Sequence, residues 1–180
     1  MKKWNPINFL IIFVVAAGLF TVTKQFYMKP NVDGGEKAPD FVAVSHENFG
    51  FKLSDLKGKY VLLDFWGSWC GPCIAEAPSL IALQAKFGTT KFKDAEGFTM
   101  VSVAVEKDKQ RWVAAIERLG LTWPYQAIDP VSNFRFFDSP IANEYGVKQL
   151  PTKFLIGPDR KIIAVDMPLE DIDRFLTERL

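Results

Sequence analysis

The stretch VLLDFWGSWCGPCIAEAP, residues 61–78, constrains the fold more than any other part of the sequence. The apolar run YVLLDFW, residues 60–66, is typical of a β-strand that is buried on both faces. A Cys-Gly-Pro-Cys motif follows almost at once, and the residues after it predict a helix from about Gly71 to Phe87. A buried strand that leads directly into a helix is a building block of α/β folds.

The rest of the chain alternates in the same way. Apolar and turn patterns predict further strands at residues 41–44, 51–53, 98–105, 125–128, 152–156 and 161–165, and helices at residues 107–120, 139–147 and 168–180. The GPDR turn signal between the last two strands predicts a hairpin. Strands and helices that alternate and then close with a hairpin and a helix indicate an α/β sandwich around a mixed sheet.

Composition excludes several classes of function. A chain of 180 residues suits one domain with a tail, and its formal net charge of +1 gives no reason to expect nucleic acid as a partner. Its single histidine, His46, leaves multi-histidine metal sites and histidine-based triads with too few residues. We predict His46 to be a loop residue without a catalytic role, and we expect neither a metal nor a cofactor.

The N-terminal segment is strongly apolar. Lys2 and Lys3 precede the run Phe9–Phe20, which resembles the charged and apolar regions of a secretory signal. Counted from Ile7 to Thr23, the run reaches the roughly 17 residues that the shortest membrane helices need. Trp4 before it and the aromatic pair at residues 26–27 after it would lie at the two headgroup levels.

We interpret this segment as an uncleaved membrane anchor, with a signal cleaved near residues 16–18 as the alternative. The predicted organisation is an anchor or signal at residues 1–29, a linker at 30–37 and one domain at 38–180. Lysines flank both ends of the apolar run, so charge alone leaves its orientation open. Either interpretation places the domain outside the cytoplasm.

Cys70 and Cys73 are the only cysteines of the chain. If the helix begins just after Cys70, unpaired backbone N–H groups and the helix dipole favour a thiolate there. Cys73 lies one turn further on the same face, Gly71 allows another backbone to approach, and Pro72 is tolerated in a first turn. The motif predicts a redox-active pair. A structural disulfide would more often join distant segments, and a zinc site would need two further ligands.

The sequence LLDFWGSWCGPC resembles the thioredoxin active site, and QLPT, Gln149–Thr152, resembles the cis-proline loop of the same family. The resemblance covers Ala38 to Leu180. The anchor, the lead-in FKLSDLKGKYVLLDFW and the sequence CIAEAP resemble the TlpA/ResA-like branch. That branch implies a membrane-anchored, extracytoplasmic thiol–disulfide oxidoreductase with a thioredoxin-like fold and an insertion in mid-domain. The segment from Phe98 to Tyr145 is long enough to hold that insertion.

The resemblance also implies roles for two acids. Asp64 matches the buried aspartate of thioredoxins, and burial would raise its pKa and suit it to proton exchange with Cys73. Glu76 matches a glutamate of the ResA-like branch and lies one helical turn from Cys73, near enough to affect thiol titration. Solvated carboxylates are the alternative for both. The ResA-like pattern has a neutral residue at the position of Asp64, so which acid handles the proton stays open.

The implied client site surrounds the cysteines. By resemblance, the Leu150–Pro151 bond is cis and places the backbone of Leu150 beside the disulfide, where an extended client can pair with it. Trp69, Gly71 and Pro72 complete the predicted client-binding residues. The exposed Cys70 thiolate would attack the client and Cys73 would resolve the mixed disulfide.

These features predict a protein-disulfide reductase, because the Gly-Pro pair between the cysteines resembles that of reducing thioredoxins. The implied partners are protein disulfides and an integral membrane thiol carrier that donates electrons. Cytochrome c maturation is one role within the branch.

Other functions on this fold fit less well. A peroxiredoxin would carry threonine three residues and proline seven residues before its reactive cysteine, whereas Cys70 has Gly67 and Leu63 there. A Sco-type copper-delivery protein would have three residues between the cysteines and a downstream histidine. A client-binding module without redox activity is the remaining non-enzyme alternative.

The aromatic-rich segment at residues 121–137 has two interpretations. Its aromatic residues are Trp123, Tyr125, Phe134, Phe136 and Phe137. Aromatic side chains at this density are more often core than surface, and we predict a core role. The alternative is that some of them border the redox site and select clients.

Overall fold

The computed structural model describes residues 6–30, 32–132 and 138–180. Its strands are β1 (Val42–Val44), β2 (Gly50–Lys52), β3 (Lys59–Trp66), β4 (Gly97–Glu106), β5 (Tyr125–Pro130), β6 (Thr152–Ile156) and β7 (Ile162–Val165). Five of them form a central sheet in the order β5–β4–β3–β6–β7. β3, β4 and β5 run parallel to one another, whereas β6 is antiparallel to both β3 and β7. The predicted mixed sheet is confirmed.

The helices of the described residues are α1 (Pro6–Met28), α2 (Gly71–Phe87), α3 (Lys109–Leu119), α4 (Pro140–Tyr145) and α5 (Leu169–Thr177). The sequence predicted α2 with these bounds. α3 begins where Asp108 accepts hydrogen bonds from the backbone N–H groups of Gln110 and Arg111, and it ends at Gly120 in a left-handed conformation. Both are common ways to satisfy the free backbone groups at helix ends.

The β1–β2 hairpin forms a two-stranded sheet of its own. The two strands pair antiparallel with each other, and a 3₁₀ turn at Leu53–Leu56 connects the hairpin to β3. Phe51 of β2 is buried and its ring lies 5.1 Å from that of Tyr125 in β5. The hairpin therefore covers one face of the sheet near β5.

Two hydrophobic clusters lie on opposite faces of the sheet, because side chains alternate along each strand. The first contains Leu62 and Trp66 of β3 with both cysteines and apolar residues of α2, α3 and α5. The second contains Leu63 and Phe65 of β3 with residues of the hairpin and α4. By the same alternation, Asp64 faces the side of the sheet that carries α2.

The predicted insertion region between β4 and β6 contains α3, β5 and α4. Trp123, just before β5, is 1% exposed and belongs to the first cluster. Tyr125 is partly buried and packs against the second cluster. These two aromatic residues are core, as predicted, whereas Phe134, Phe136 and Phe137 lie outside the described residues.

The segment before β1 is bound to the sheet. Gly35 N donates to Ile162 O at 2.7 Å, Ile162 N donates to Glu36 O at 2.8 Å, and Ala38 N donates to Arg160 O at 2.9 Å. Val32 is 9% exposed. The residues predicted as a linker therefore include a stretch that lines the outer edge of β7.

α1 is the helix that the apolar N-terminal run predicts. Within it, Ile7–Lys24 is long and apolar enough to cross a membrane, and none of that window is buried against the domain. Lys2, Lys3 and Trp4 lie outside the described residues. By length and composition alone, α1 is a candidate membrane span.

Candidate active site

Cys70 lies at the junction between β3 and α2. It is the N-cap residue of α2, with an extended backbone (φ −85°, ψ 100°), and its Sγ accepts a hydrogen bond from Cys73 N at 3.3 Å. Cys70 and Cys73 form a disulfide with a Cα–Cα distance of 5.3 Å. Pro72 occupies the first turn, where a missing N–H group removes no helical bond. The sulfur of Cys70 thus lies where backbone N–H groups favour an anion.

Exposure does not separate the two cysteines. Each residue is 5% exposed in the disulfide form, so exposure in this form does not mark Cys70 as the attacking sulfur, and that role stays a prediction for the dithiol form. Both cysteines are buried because both belong to the first hydrophobic cluster. Their positions differ instead: Cys70 precedes the helix, and Cys73 lies within its first turn.

The surface above the disulfide is open. Gly71 and Pro72 are exposed, and a Cβ atom built on Gly71 would meet no atom within 4 Å. Trp69 is 42% exposed beside them. Another polypeptide can therefore approach the cysteines from this side.

The loop that carries Cys70 is held by the end of β4. Ser68 Oγ donates a hydrogen bond to the carboxylate of Glu106, a residue that is 2% exposed. Trp69 Nε1 donates to Val105 O at 3.0 Å. Gly67 is required here, because a Cβ atom on it would lie 2.8 Å from the indole nitrogen of Trp69. Glu106 was not predicted as a site residue, although an acid that ends an otherwise apolar strand is a visible signal.

Asp64 is buried in the middle of the sheet. It is 3% exposed and pairs in register with Ser102 of β4 and Lys153 of β6. Burial raises the pKa of its carboxyl group from 3.8 to about 7, with Glu76 and Asp166 acting in the same direction and Lys153 opposing them. With a pKa close to neutrality, a carboxyl group can both accept and return a proton.

Glu76 meets a buried lysine. Its Oε2 lies 2.7 Å from Nζ of Lys153, and the two side chains are 37% and 7% exposed, respectively. Glu76 lies on α2, three residues after Cys73. Lys153 was not predicted as a site residue, although it is a charged residue within the apolar strand TKFLI.

The Leu150–Pro151 peptide bond is cis, as predicted. Leu150 packs against the cluster that contains both cysteines. Thr152 Oγ1 donates to Gln149 O at 3.0 Å, and Thr152 then begins β6 opposite Phe65 of β3. β3, which carries Asp64, and β6, which directly follows Pro151, are therefore neighbouring strands of the sheet.

His46 is half-buried in a turn, with its ring 6.3 Å from that of Trp112. Among the residues that the structure describes, no group of three or more His, Cys, Asp or Glu side chains is arranged to hold a metal ion.

Sequence comparisons place the chain in a known family. A family model described as the AhpC/TSA family matches residues 34–165. The thiol-disulfide oxidoreductase ResA of Geobacillus kaustophilus (strain HTA426) is 35% identical over 170 residues, which cover 93% of this chain and 90% of that protein. The protein of the same name from Bacillus subtilis (strain 168) is 34% identical over 156 residues, covering 87% and 79%. The chain belongs to the AhpC/TSA family, among its ResA-like thiol–disulfide oxidoreductases.

Solved structures show the same architecture. A putative thiol:disulfide interchange protein DsbE from Chlorobium tepidum matches with a TM-score of 0.67 and 30% identity, over 82% of this chain and 98% of that one. The thioredoxin domain of a thiol-disulfide oxidoreductase from Bacteroides vulgatus matches with a TM-score of 0.68 and 25% identity, over 81% and 99%. The thioredoxin-like fold is confirmed.

The chain is thus a thiol–disulfide oxidoreductase, and its geometry suits exchange rather than peroxide reduction. Cys70 has glycine and leucine where a peroxiredoxin carries threonine and proline. Its sulfur is joined to a cysteine one helical turn away. Such a pair can open by attack from an external thiolate and close by attack from its own second sulfur.

Proposed function

We propose that this enzyme reduces disulfide bonds of client proteins outside the cytoplasm, while α1 holds it at a membrane. The observation that carries the proposal is the position of Cys70, which caps α2 beside an open surface. The resemblance of Cys-Gly-Pro-Cys to reducing thioredoxins supports the direction.

The catalytic cycle starts from the dithiol form. The Cys70 thiolate attacks one sulfur of a client disulfide, that bond breaks, and the first client sulfur leaves as a thiolate. Cys73 then loses its proton and attacks Cys70 Sγ. The mixed disulfide breaks, the Cys70–Cys73 disulfide forms, and the second client sulfur leaves. Two electrons pass from the cysteine pair to the client.

Asp64 and Glu76 assist the second step, in which Cys73 attacks the mixed disulfide. Asp64 accepts the proton that Cys73 must lose, because burial places its pKa at about 7. Glu76, one turn along α2, adjusts the titration of the cysteine pair and of Asp64 through its charge. Client binding falls to Trp69, Gly71 and Pro72 on one side of the disulfide and to the Leu150–Pro151 loop on the other.

Turnover requires that the disulfide be reduced again. A dithiol donor supplies the two electrons and two protons, and an integral membrane thiol carrier fits an enzyme that is itself anchored. The corresponding organisation is an anchor at residues 1–29, a connecting segment at 30–37 and the catalytic domain at 38–180. The apolar, unburied face of α1 supports the first of these assignments.

Trapping tests the proposal. Cys73→Ser leaves the attacking sulfur in place but removes the resolving one, so this variant should accumulate covalent complexes with clients. Cys70→Ser is the matched control and should trap far fewer. Non-reducing electrophoresis followed by mass spectrometry would identify the clients. A haem-binding apoprotein among them would indicate cytochrome c maturation, and a varied set would indicate general disulfide reduction.

Two results would contradict the proposal. One is that neither variant traps a protein and the wild type cannot reduce a small disulfide when electrons are supplied. The other is tight copper binding by the dithiol form in a titration, which would favour a copper-delivery protein. Without either activity, a client-binding module would remain.

A further inference from the structure

Lys153 is the buried charge of the active site that the proposed cycle does not use. It lies on β6, opposite Asp64 in the register of the sheet, and only 6% of the residue is exposed. Its Nζ lies 2.7 Å from Glu76 Oε2. Burying an ammonium group is costly unless it is paired, so this arrangement depends on the carboxylates around it.

Lys153 stands among acids from three parts of the fold. β3 supplies Asp64, α2 supplies Glu76, and the residue after β7 supplies Asp166. Asp166 is also tied to Lys153 through the backbone: its Oδ1 accepts from Lys153 N at 2.8 Å and its N donates to Lys153 O at 2.8 Å. Among the described residues, Lys153 is the cation whose charge lowers the pKa of Asp64. Glu76 and Asp166 are the anions whose charges raise the pKa of Asp64.

These charges have opposite effects on the pKa of Asp64. Burial and the two neighbouring carboxylates favour its neutral form, whereas Lys153 favours its ionised form. A neutral carboxyl group cannot take the proton from Cys73. The charge of Lys153 therefore affects whether Asp64 is able to act as a base near neutral pH.

We propose that Lys153 is a positioning residue of the redox site, whose charge holds Asp64 as the carboxylate that receives the proton of Cys73. The inference rests on the proposed function, because it concerns the step in which Cys73 resolves the mixed disulfide. In that step the Cys73 proton moves to Asp64, the Cys73–Cys70 bond forms, and the client thiolate leaves.

The test is the pH profile of resolution. Stopped-flow mixing of the reduced enzyme with a fluorogenic disulfide gives a first phase that depends on substrate concentration and a second phase that reports resolution. In Lys153→Met, the acid limb of the second phase should move up by about one pH unit or more, since a nearby opposite charge commonly lowers a carboxyl pKa by that amount. Lys153→Arg keeps the charge and should leave the limb near its wild-type position.

Glu76→Gln supplies a readout of opposite sign. It removes a negative charge that raises the pKa of Asp64 and frees Lys153 from its partner, so the acid limb should move down. In an Asp64→Asn background, where resolution is already slow, neither change should move the limb. A role of Lys153 in packing alone would not produce shifts of opposite sign.

The outcomes separate the two hypotheses. If the wild type resolves clients but Lys153→Met and Glu76→Gln do not shift the limb in opposite directions, the inference is wrong. If Lys153→Met does not fold, Lys153→Gln takes its place, and an unchanged or lowered limb in that variant overturns the inference. If the wild type does not turn over at all, the proposed function fails. In that case a ¹³C NMR titration of the Asp64 carboxyl in the oxidised proteins tests the role of Lys153. The pKa of Asp64 should be higher in Lys153→Met, and lower in Glu76→Gln, than in the wild type.

Discussion

The carboxyl group of Asp64 is costly to ionise where it lies. The residue is 3% exposed within the sheet, and transfer of a charge from water into such a site is unfavourable unless it is paired. Its pKa is about 7 in the folded oxidised protein against an ordinary value of 3.8. The group that suits proton transfer near neutral pH therefore also reduces the stability of the fold there.

This makes stability depend on pH in a defined direction. Between pH values of about 4 and about 7 the folded state binds more protons than the unfolded state, so the contribution of Asp64 to stability falls as pH rises and is level above that range. The total change is on the order of 4 kcal/mol. Urea denaturation of the oxidised wild type and Asp64→Asn across this range measures it.

Asp64→Asn is a matched control for the wild type, because the other titrating groups change the stability of both proteins in the same way. The free energy of unfolding of Asp64→Asn minus that of the wild type should grow from pH 4 to pH 7. If the two stabilities run parallel over this range, the carboxyl group is not buried as the structure has it.

Neighbouring strands help to hold the loop before α2. The end of β4 receives the hydrogen bonds of Ser68 and Trp69 through Glu106 and the carbonyl of Val105. β6 supplies Lys153 to Glu76 on α2. The cysteine pair is therefore fixed from both sides of β3 by the strands that flank it.

The segment between α3 and β5 also packs against the central sheet. Trp123 is 1% exposed, and its Nε1 donates to Ser102 Oγ of β4 at 2.9 Å. Trp123→Ala should lower the free energy of unfolding by about 3–5 kcal/mol, as expected when a large buried aromatic residue is removed. Thermal or denaturant unfolding would measure the loss.

Trp69→Ala is the control for this prediction. Trp69 is 42% exposed, so its truncation should cost much less stability and act mainly on client turnover. If Trp123→Ala instead weakened client turnover without lowering stability, Trp123 would border the client site and its role in the core would be wrong.

At the scale of the whole molecule, α1 meets the domain near the redox site. Lys148 Nζ donates to Tyr27 O at 2.8 Å and lies 4.6 Å from the centre of the Tyr27 ring. A cavity of about 350 Å³ beside this contact is lined by residues of both parts, among them Lys24, Gln149 and Asp166. The end of α1 thus lies next to the segment that leads to Pro151.

Membrane attachment is the prediction at this scale. The full-length protein should remain with membranes after washing with high salt and with carbonate, because about 17 or more apolar residues suffice to span the bilayer. The control is the double substitution Phe13→Lys and Val14→Lys, since each lysine at the centre of a membrane helix costs about 2.5–3.5 kcal/mol. That variant should be released. A soluble mature form that begins near Leu19 would contradict the anchor.

Much of the fold and half of the site follow from local patterns. The apolar run of β3, the bounds of α2 and the cysteine pair were predicted from residues close together in the chain, whereas the cis proline was implied by the resemblance of QLPT to the thioredoxin family. An apolar run favours burial on both faces, and a proline and a cap residue mark where a helix begins. Burial of Asp64 followed from the apolar residues on either side of it.

The charge environment of the site was decided only by the tertiary structure. Lys153 and Glu76 are separated by 77 positions, and Ser68 and Glu106 by 38. The hydrogen bonds of residues 35–38 to the edge of β7 likewise join distant segments. No local pattern relates such residues, because register between strands and the packing of α2 bring them together. The sequence by itself thus determined where the redox pair lies and which fold carries it, whereas folding of the whole sheet decided which charges surround it.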